Sequence, residues 1–217
     1  MTRIFILVNF IVLVLPCYAQ EKEVRFLALG DSYTIGESVD ASKRWPQQLA
    51  DSLGIMHADI IAQTGWRTDD LMESIRMRSL EHNYDVVSLL IGVNNQYQGT
   101  PMKQYEQEFV ELLTIAKKLA KKENSTVFVL SIPDYYYTPF GHTNRTDQVS
   151  KELNAYNTYA EAICASQQIP FVNITDISRL GLKRPELVAS DGLHPSAIQY
   201  SMWVQRIIDT GGLKALR

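Results

Sequence analysis

The run from Asp85 to Ile91 constrains the fold more than any other stretch of this chain. Val86, Val87, Leu89, Leu90 and Ile91 make it almost continuously apolar. A strand of this kind has no face for water and must be covered on both sides, as in a parallel sheet sandwiched by helices. Four other short runs repeat the pattern: Val24 to Leu29, His57 to Ala62, Val127 to Ile132 and Phe171 to Ile174. Segments with helical spacing lie between them. Trp45-Pro46 opens one that carries Leu49, Ala50 and Leu53, and Thr68-Asp69-Asp70 caps a second that carries Leu71 and Ile75. Thr100-Pro101 opens a longer one with Tyr105, Phe109, Leu112, Leu113, Ala116 and Leu119 on one side. Leu153, Tyr156, Tyr159, Ala160 and Ile163 mark a fourth helix, and Ile198, Met202, Val204, Ile207 and Ile208 a last one beginning near Pro195. Strands alternating with helices call for an α/β domain with one five-stranded parallel sheet. The stretch from Asp134 to about Val149 reads as a long loop, rich in aromatic residues.

The first nineteen residues stand apart from this pattern. A basic start at Arg3, an apolar stretch from Ile4 to Leu15 and small residues around Ala19 read as a secretory leader. The apolar part is too short for a stable membrane span. Cleavage after Ala19 leaves Gln20 to Arg217 as one domain and places it outside the cytoplasm, periplasmic or secreted. A lipid anchor on Cys17 is the rival reading, and Pro16 is a poor match to the small residue that such processing prefers. Cys164 is then the sole thiol, so no disulfide framework supports the domain. Of the whole chain's 21 basic and 24 acidic residues the leader removes only Arg3, which leaves a net charge of −4. That balance argues against nucleic acid as a partner. Lys117, Lys118, Lys121 and Lys122 suit the solvated last turns of a helix.

Four separate stretches end on residues that carry chemistry. The first strand stops at Gly30-Asp31-Ser32, the second is followed by Gly65, the third by Gly92-Val93-Asn94, and the last helix is preceded by Asp191-Gly192-Leu193-His194-Pro195. In a parallel sheet all these ends lie on one rim, where ligands bind. A serine hydroxyl becomes a nucleophile once a base takes its proton, and an imidazole does this near neutral pH. A carboxylate three residues before His194 can hold its ring in the useful tautomer. The backbone N–H of Ser32, the N–H of Gly65 and the side-chain amide of Asn94 are candidate donors to an oxyanion. His57, His82 and His142 lack metal-ligand spacing. Trp66, Tyr135, Tyr136, Tyr137 and Phe140 could wall a substrate pocket.

Taken together, these blocks resemble those of the SGNH/GDSL hydrolases, a family named for its Ser, Gly, Asn and His. The resemblance implies a three-layer, flavodoxin-like α/β/α fold and hydrolysis of acyl esters without a cofactor. By block position it implies Ser32 as nucleophile, His194 as base, Asp191 as its support, and Ser32, Gly65 and Asn94 in the oxyanion hole. Two residues depart from the family pattern. Tyr33 replaces the leucine of the name, and Asn95 stands where an acid is usual, which removes a charge and a hydrogen bond expected to brace the loop. The substrate implied is a small-molecule or glycan acyl ester. Two other readings use the same residues: a non-catalytic glycan- or lipid-binding module, and acyl transfer to an acceptor other than water.

Overall fold

The computed structural model describes residues 24–56, 58–120 and 126–210. The expected leader, His57, Lys121 and Lys122 lie outside the described residues. Strands β1 (Phe26–Gly30), β2 (Ala58–Ala62), β3 (Val86–Leu90), β4 (Thr126–Leu130) and β5 (Phe171–Val172) form one parallel sheet, in the order β2-β1-β3-β4-β5. Every residue of β1 and β3 is buried, as their apolar runs require. Gly30 pairs with Ala62 on one side and with Leu90 on the other. The chain therefore leaves β1, β2 and β3 at one level.

The helices are α1 (Ser32–Ile35), α2 (Trp45–Ser52), α3 (Thr68–Arg76), α4 (Val93–Tyr97), α5 (Met102–Leu119), α6 (Pro139–Asn144), α7 (Gln148–Ser166), α8 (Thr175–Ser178) and α9 (Ala197–Asp209). From β1 the chain steps one way to β2, then jumps back across β1 to β3. Right-handed crossovers in opposite directions put their helices on opposite faces. Two helix groups result: α2 packs with α9, while α5 packs with α3 and α7. Between α2 and the sheet, Trp45 meets Phe26 and Phe128 at ring distances of 6.2 and 6.5 Å. On the α5 side, Tyr105 packs against Tyr156 at 4.4 Å. Side chains buried to this degree each stabilise the fold by about 2 kcal/mol. Cys164 is buried in α7, and burial pushes its thiol up to about 12, so it behaves as a small hydrophobe.

Three local expectations are corrected. The segment after Asp134 is largely helical: a 3-10 turn spans Tyr135–Tyr137, and Thr138 caps α6 by accepting from the Gly141 amide at 3.1 Å. In α9 the buried stripe is Tyr200, Trp203, Val204 and Ile207, with Ile198 turned to solvent. The two large aromatic rings claim the interior, and Trp203 meets Tyr33 at 6.3 Å. Thr68 does not cap α3 with its hydroxyl. It is the first helical residue, and the Asp70 carboxylate accepts from the Arg67 amide at 2.9 Å.

Candidate active site

The strand order reverses between β1 and β3, and open α/β sheets bind ligands at such a point. Ser32 follows β1 there and begins the single turn α1. Asp31 caps that turn, its Oδ1 accepting from the Tyr33 amide at 3.0 Å, and Gly36 closes it by donating to the Ser32 carbonyl at 3.1 Å. The sharp departure from β1 needs a residue without a side chain: a Cβ at Gly30 would stand 2.2 Å from Thr34 Oγ1 and 2.5 Å from the Leu90 carbonyl. Asp31 is fully buried, and among the described residues its Oδ2 has no hydrogen-bond partner. Desolvation raises its pKa from 3.8 to about 7, against the opposing effect of the Tyr33 amide.

His194 and Asp191 sit in a tight loop pinned at its base. The Ala189 amide donates to the His194 carbonyl at 2.8 Å, and the Ser196 amide to the Leu187 carbonyl at 2.8 Å. His194 Nδ1 lies 2.6 Å from Asp191 Oδ2, while Asp191 Oδ1 accepts from the Leu193 and His194 amides at 2.9 and 3.0 Å. Facing a carboxylate, Nδ1 carries the proton and Nε2 is left as an acceptor. Partial burial works to raise the Asp191 pKa. Hydrogen bonds from Ser38, His194 and the two amides outweigh it and hold the carboxyl well below the usual range. The Ser38 hydroxyl donates to Oδ2 at 2.6 Å. Tyr33 places its ring edge-on to the imidazole at 5.8 Å.

Gly65 follows β2 with φ of +86°, a left-handed conformation that suits glycine. Its carbonyl accepts from Gln98 Nε2 at 3.0 Å. Asn94 Nδ2 donates one proton to the Trp66 carbonyl at 2.9 Å, and the carboxamide lines the cleft described below. Asn95 is fully buried and does brace the loop: Oδ1 accepts from the Thr68 amide at 3.1 Å and Nδ2 donates to the Thr68 hydroxyl at 2.6 Å. The bracing bond expected to be lost with the usual acid is therefore present, supplied by a carboxamide. The Thr68 hydroxyl in turn donates to Glu108.

A cleft of about 280 Å³ brings together Ser32, Gly65, Asn94 and His194. No hydrogen bond joins the Ser32 hydroxyl to the imidazole among the described residues; such bonds commonly tighten only with substrate. Asp191 stands behind His194 and does not border the cleft. Of the five aromatic candidates, only Tyr135 lines it, with its hydroxyl donating to Gln96 Oε1 at 2.9 Å. Trp66, Tyr136, Tyr137 and Phe140 are not among its walls: Tyr136 packs against His142 at 5.4 Å and against Tyr137 at 5.6 Å, and the Phe140 amide donates to the Gly192 carbonyl at 2.9 Å. The other walls are Tyr33, Thr64, Val93, Tyr97, Gln98 and Leu193. Tyr97 and Gln98 follow Asn94 by one helical turn, and that spacing alone marks them as neighbours of the site. Among the described residues no group of His, Cys, Asp and Glu could hold a metal ion, and no helix is long and apolar enough to cross a membrane.

The five-stranded parallel sheet and its flanking helices match the fold of solved GDSL-family structures. A lipolytic protein of the G-D-S-L family from Veillonella parvula superposes with a TM-score of 0.66 at 15% identity, covering 86% of this chain and 97% of that one. An acetylxylan esterase from Geobacillus stearothermophilus superposes at 0.65 with 18% identity, covering 89% and 96%. In sequence, an arylesterase from Vibrio mimicus is 24% identical over 212 residues, 96% of each chain. The model of the GDSL-like lipase/acylhydrolase family matches residues 28–201. The chain belongs to that family, and so to the carboxylic ester hydrolases.

Proposed function

We propose that this chain hydrolyses acyl esters through a covalent acyl-enzyme on Ser32. The Ser32 oxygen attacks the ester carbonyl carbon while His194 Nε2 takes the hydroxyl proton. The carbonyl oxygen, now an anion, is received by the N–H groups of Ser32 and Gly65 and the second amide proton of Asn94. Collapse expels the alcohol, which leaves with the proton from His194. Water then attacks the acyl group with the same base, releases the acid and restores the serine. Asp191 keeps the imidazole in one tautomer and stabilises its charged form.

The observation that carries this reading is the meeting of Ser32, Gly65, Asn94 and His194 on one cleft, although they follow different elements of the sheet. The size of the cleft and its Val93, Tyr97, Tyr135 and Leu193 walls suit a short acyl or aryl group. The names of the Vibrio and Geobacillus relatives agree with a small acyl ester, of an aryl alcohol or of a glycan. Export with cleavage near Ala19 belongs to the same proposal, and the mass of the mature chain tests it.

The decisive experiment compares wild type with Ser32→Ala on chromogenic esters of graded chain length and on acetylated glycans. Ser32→Ala should fold normally and lose turnover by about four orders of magnitude or more. A fluorophosphonate should label wild type at Ser32. Full turnover by Ser32→Ala would refute the proposal, and failure of the label would favour a binding module.

A further inference from the structure

We propose that Ser38 is a positioning residue for the imidazole base, holding the Asp191 carboxylate through a turn that also ties to the Gly65 loop. This rests on the roles assigned above to Ser32, His194 and Asp191. The turn grows directly out of the nucleophile's helix, since the amides of Gly36 and Glu37 donate to the Ser32 carbonyl at 3.1 and 3.0 Å. The next hydroxyl, that of Ser38, donates at 2.6 Å to Asp191 Oδ2, the oxygen that also faces His194 Nδ1 at 2.6 Å. On its other side the turn meets the Gly65 loop, because the Thr64 hydroxyl donates to the Glu37 carboxylate. Three successive residues thus reach the nucleophile, the base pair and the oxyanion loop.

The backbone makes this placement costly. Ser38 has φ of +65°, a region that residues other than glycine enter at the expense of stability. The residue is exposed, so packing does not offset that cost. Its side chain does one thing: it fills a lone pair of Asp191 that the two amides on Oδ1 leave open. With donors on both oxygens the carboxylate plane is fixed, and the imidazole that donates to it is fixed in turn. A carboxylate free to rotate would let Nε2 wander from the Ser32 hydroxyl, and displacements of about 1 Å cost up to about a hundredfold in rate.

Ser38→Gly in the full chain isolates the hydroxyl, because glycine takes the same backbone without strain. The expected result is a kcat about tenfold lower with KM unchanged on a chromogenic acetyl ester. In proton NMR the His194 Nδ1–H resonance should move downfield, since Oδ2 then has no competing donor. A kcat equal to wild type overturns the inference, and so does a fall in kcat with the Nδ1–H resonance unmoved, which would give Ser38 a role in loop folding alone. Ser32→Ala, run alongside, separates the two levels. Full activity there would sink the catalytic assignment itself, whereas an inert Ser32→Ala beside a fully active Ser38→Gly would sink only the role of Ser38.

Discussion

Asp31 makes the stability of this protein depend on pH in a direction opposite to most carboxylates. In the unfolded chain it ionises near 3.8, but in the folded protein it keeps its proton until about pH 7. Below pH 3.8 both states are protonated and the residue contributes no difference. As pH rises from there, the unfolded state gives up its proton first, so folding stability falls until the folded pKa is passed and is then constant. A tenfold change in proton affinity is worth about 1.36 kcal/mol, so the interval from 3.8 to about 7 amounts to about 4 kcal/mol. The cause is the buried Oδ2 at the start of α1, which has no hydrogen-bond partner among the described residues. Asp31→Asn keeps the cap, because its carbonyl oxygen can still accept from the Tyr33 amide, and removes the titration. Urea unfolding of both proteins between about pH 4.5 and about 8 supplies the free energies by linear extrapolation. The stability of Asp31→Asn relative to wild type should climb with pH and level off above about 7. A difference that stays flat, or that falls with pH, would refute the reasoning. Asp191 has the opposite sign, because its carboxyl is held low and its contribution disappears as pH drops below the ordinary carboxylate range.

Other residues give sharper readouts of rate or packing. Asn94→Ala should lower kcat/KM by about a hundred- to a thousandfold while the circular dichroism spectrum stays unchanged. Gly65→Ala meets no atom within 4 Å, so its penalty is the left-handed backbone alone. A loss of about 1–2 kcal/mol in unfolding free energy is expected, together with reduced turnover. Asn95→Leu strips the buried Thr68 amide of its acceptor and should cost about 1–3 kcal/mol by urea denaturation.

The sheet was readable in the sequence because strands covered on both faces must be apolar throughout, and β3 is the plainest case. Ends were less so: the run from Phe171 to Ile174 pairs only over Phe171–Val172. The helical turn after Pro139 was hidden by a composition of Gly, His and Asn that reads as loop, although the Thr138-Pro139 start was a valid signal. In α9, counting aliphatic residues found Val204 and Ile207 but missed Tyr200 and Trp203, whose bulk takes the centre of the buried face and leaves Ile198 in solvent. The Asp191–His194 pair was legible because its members stand only three positions apart. Ser38 was not, since its partner lies 153 positions away and nothing local marks the contact. The aromatic candidates were legible only at Tyr135, for a related reason. Richness in rings marks burial as readily as binding, and here four of the five rings do not line the cleft.

Asn94 grips the peptide oxygen of residue 66 and leaves the indole of Trp66 uninvolved. Any amino acid other than one that distorts the main chain can supply that oxygen. A change at residue 66 therefore leaves the hold on the Asn94 carboxamide in place and is felt instead where the indole packs, partly buried, against the hydrophobic core.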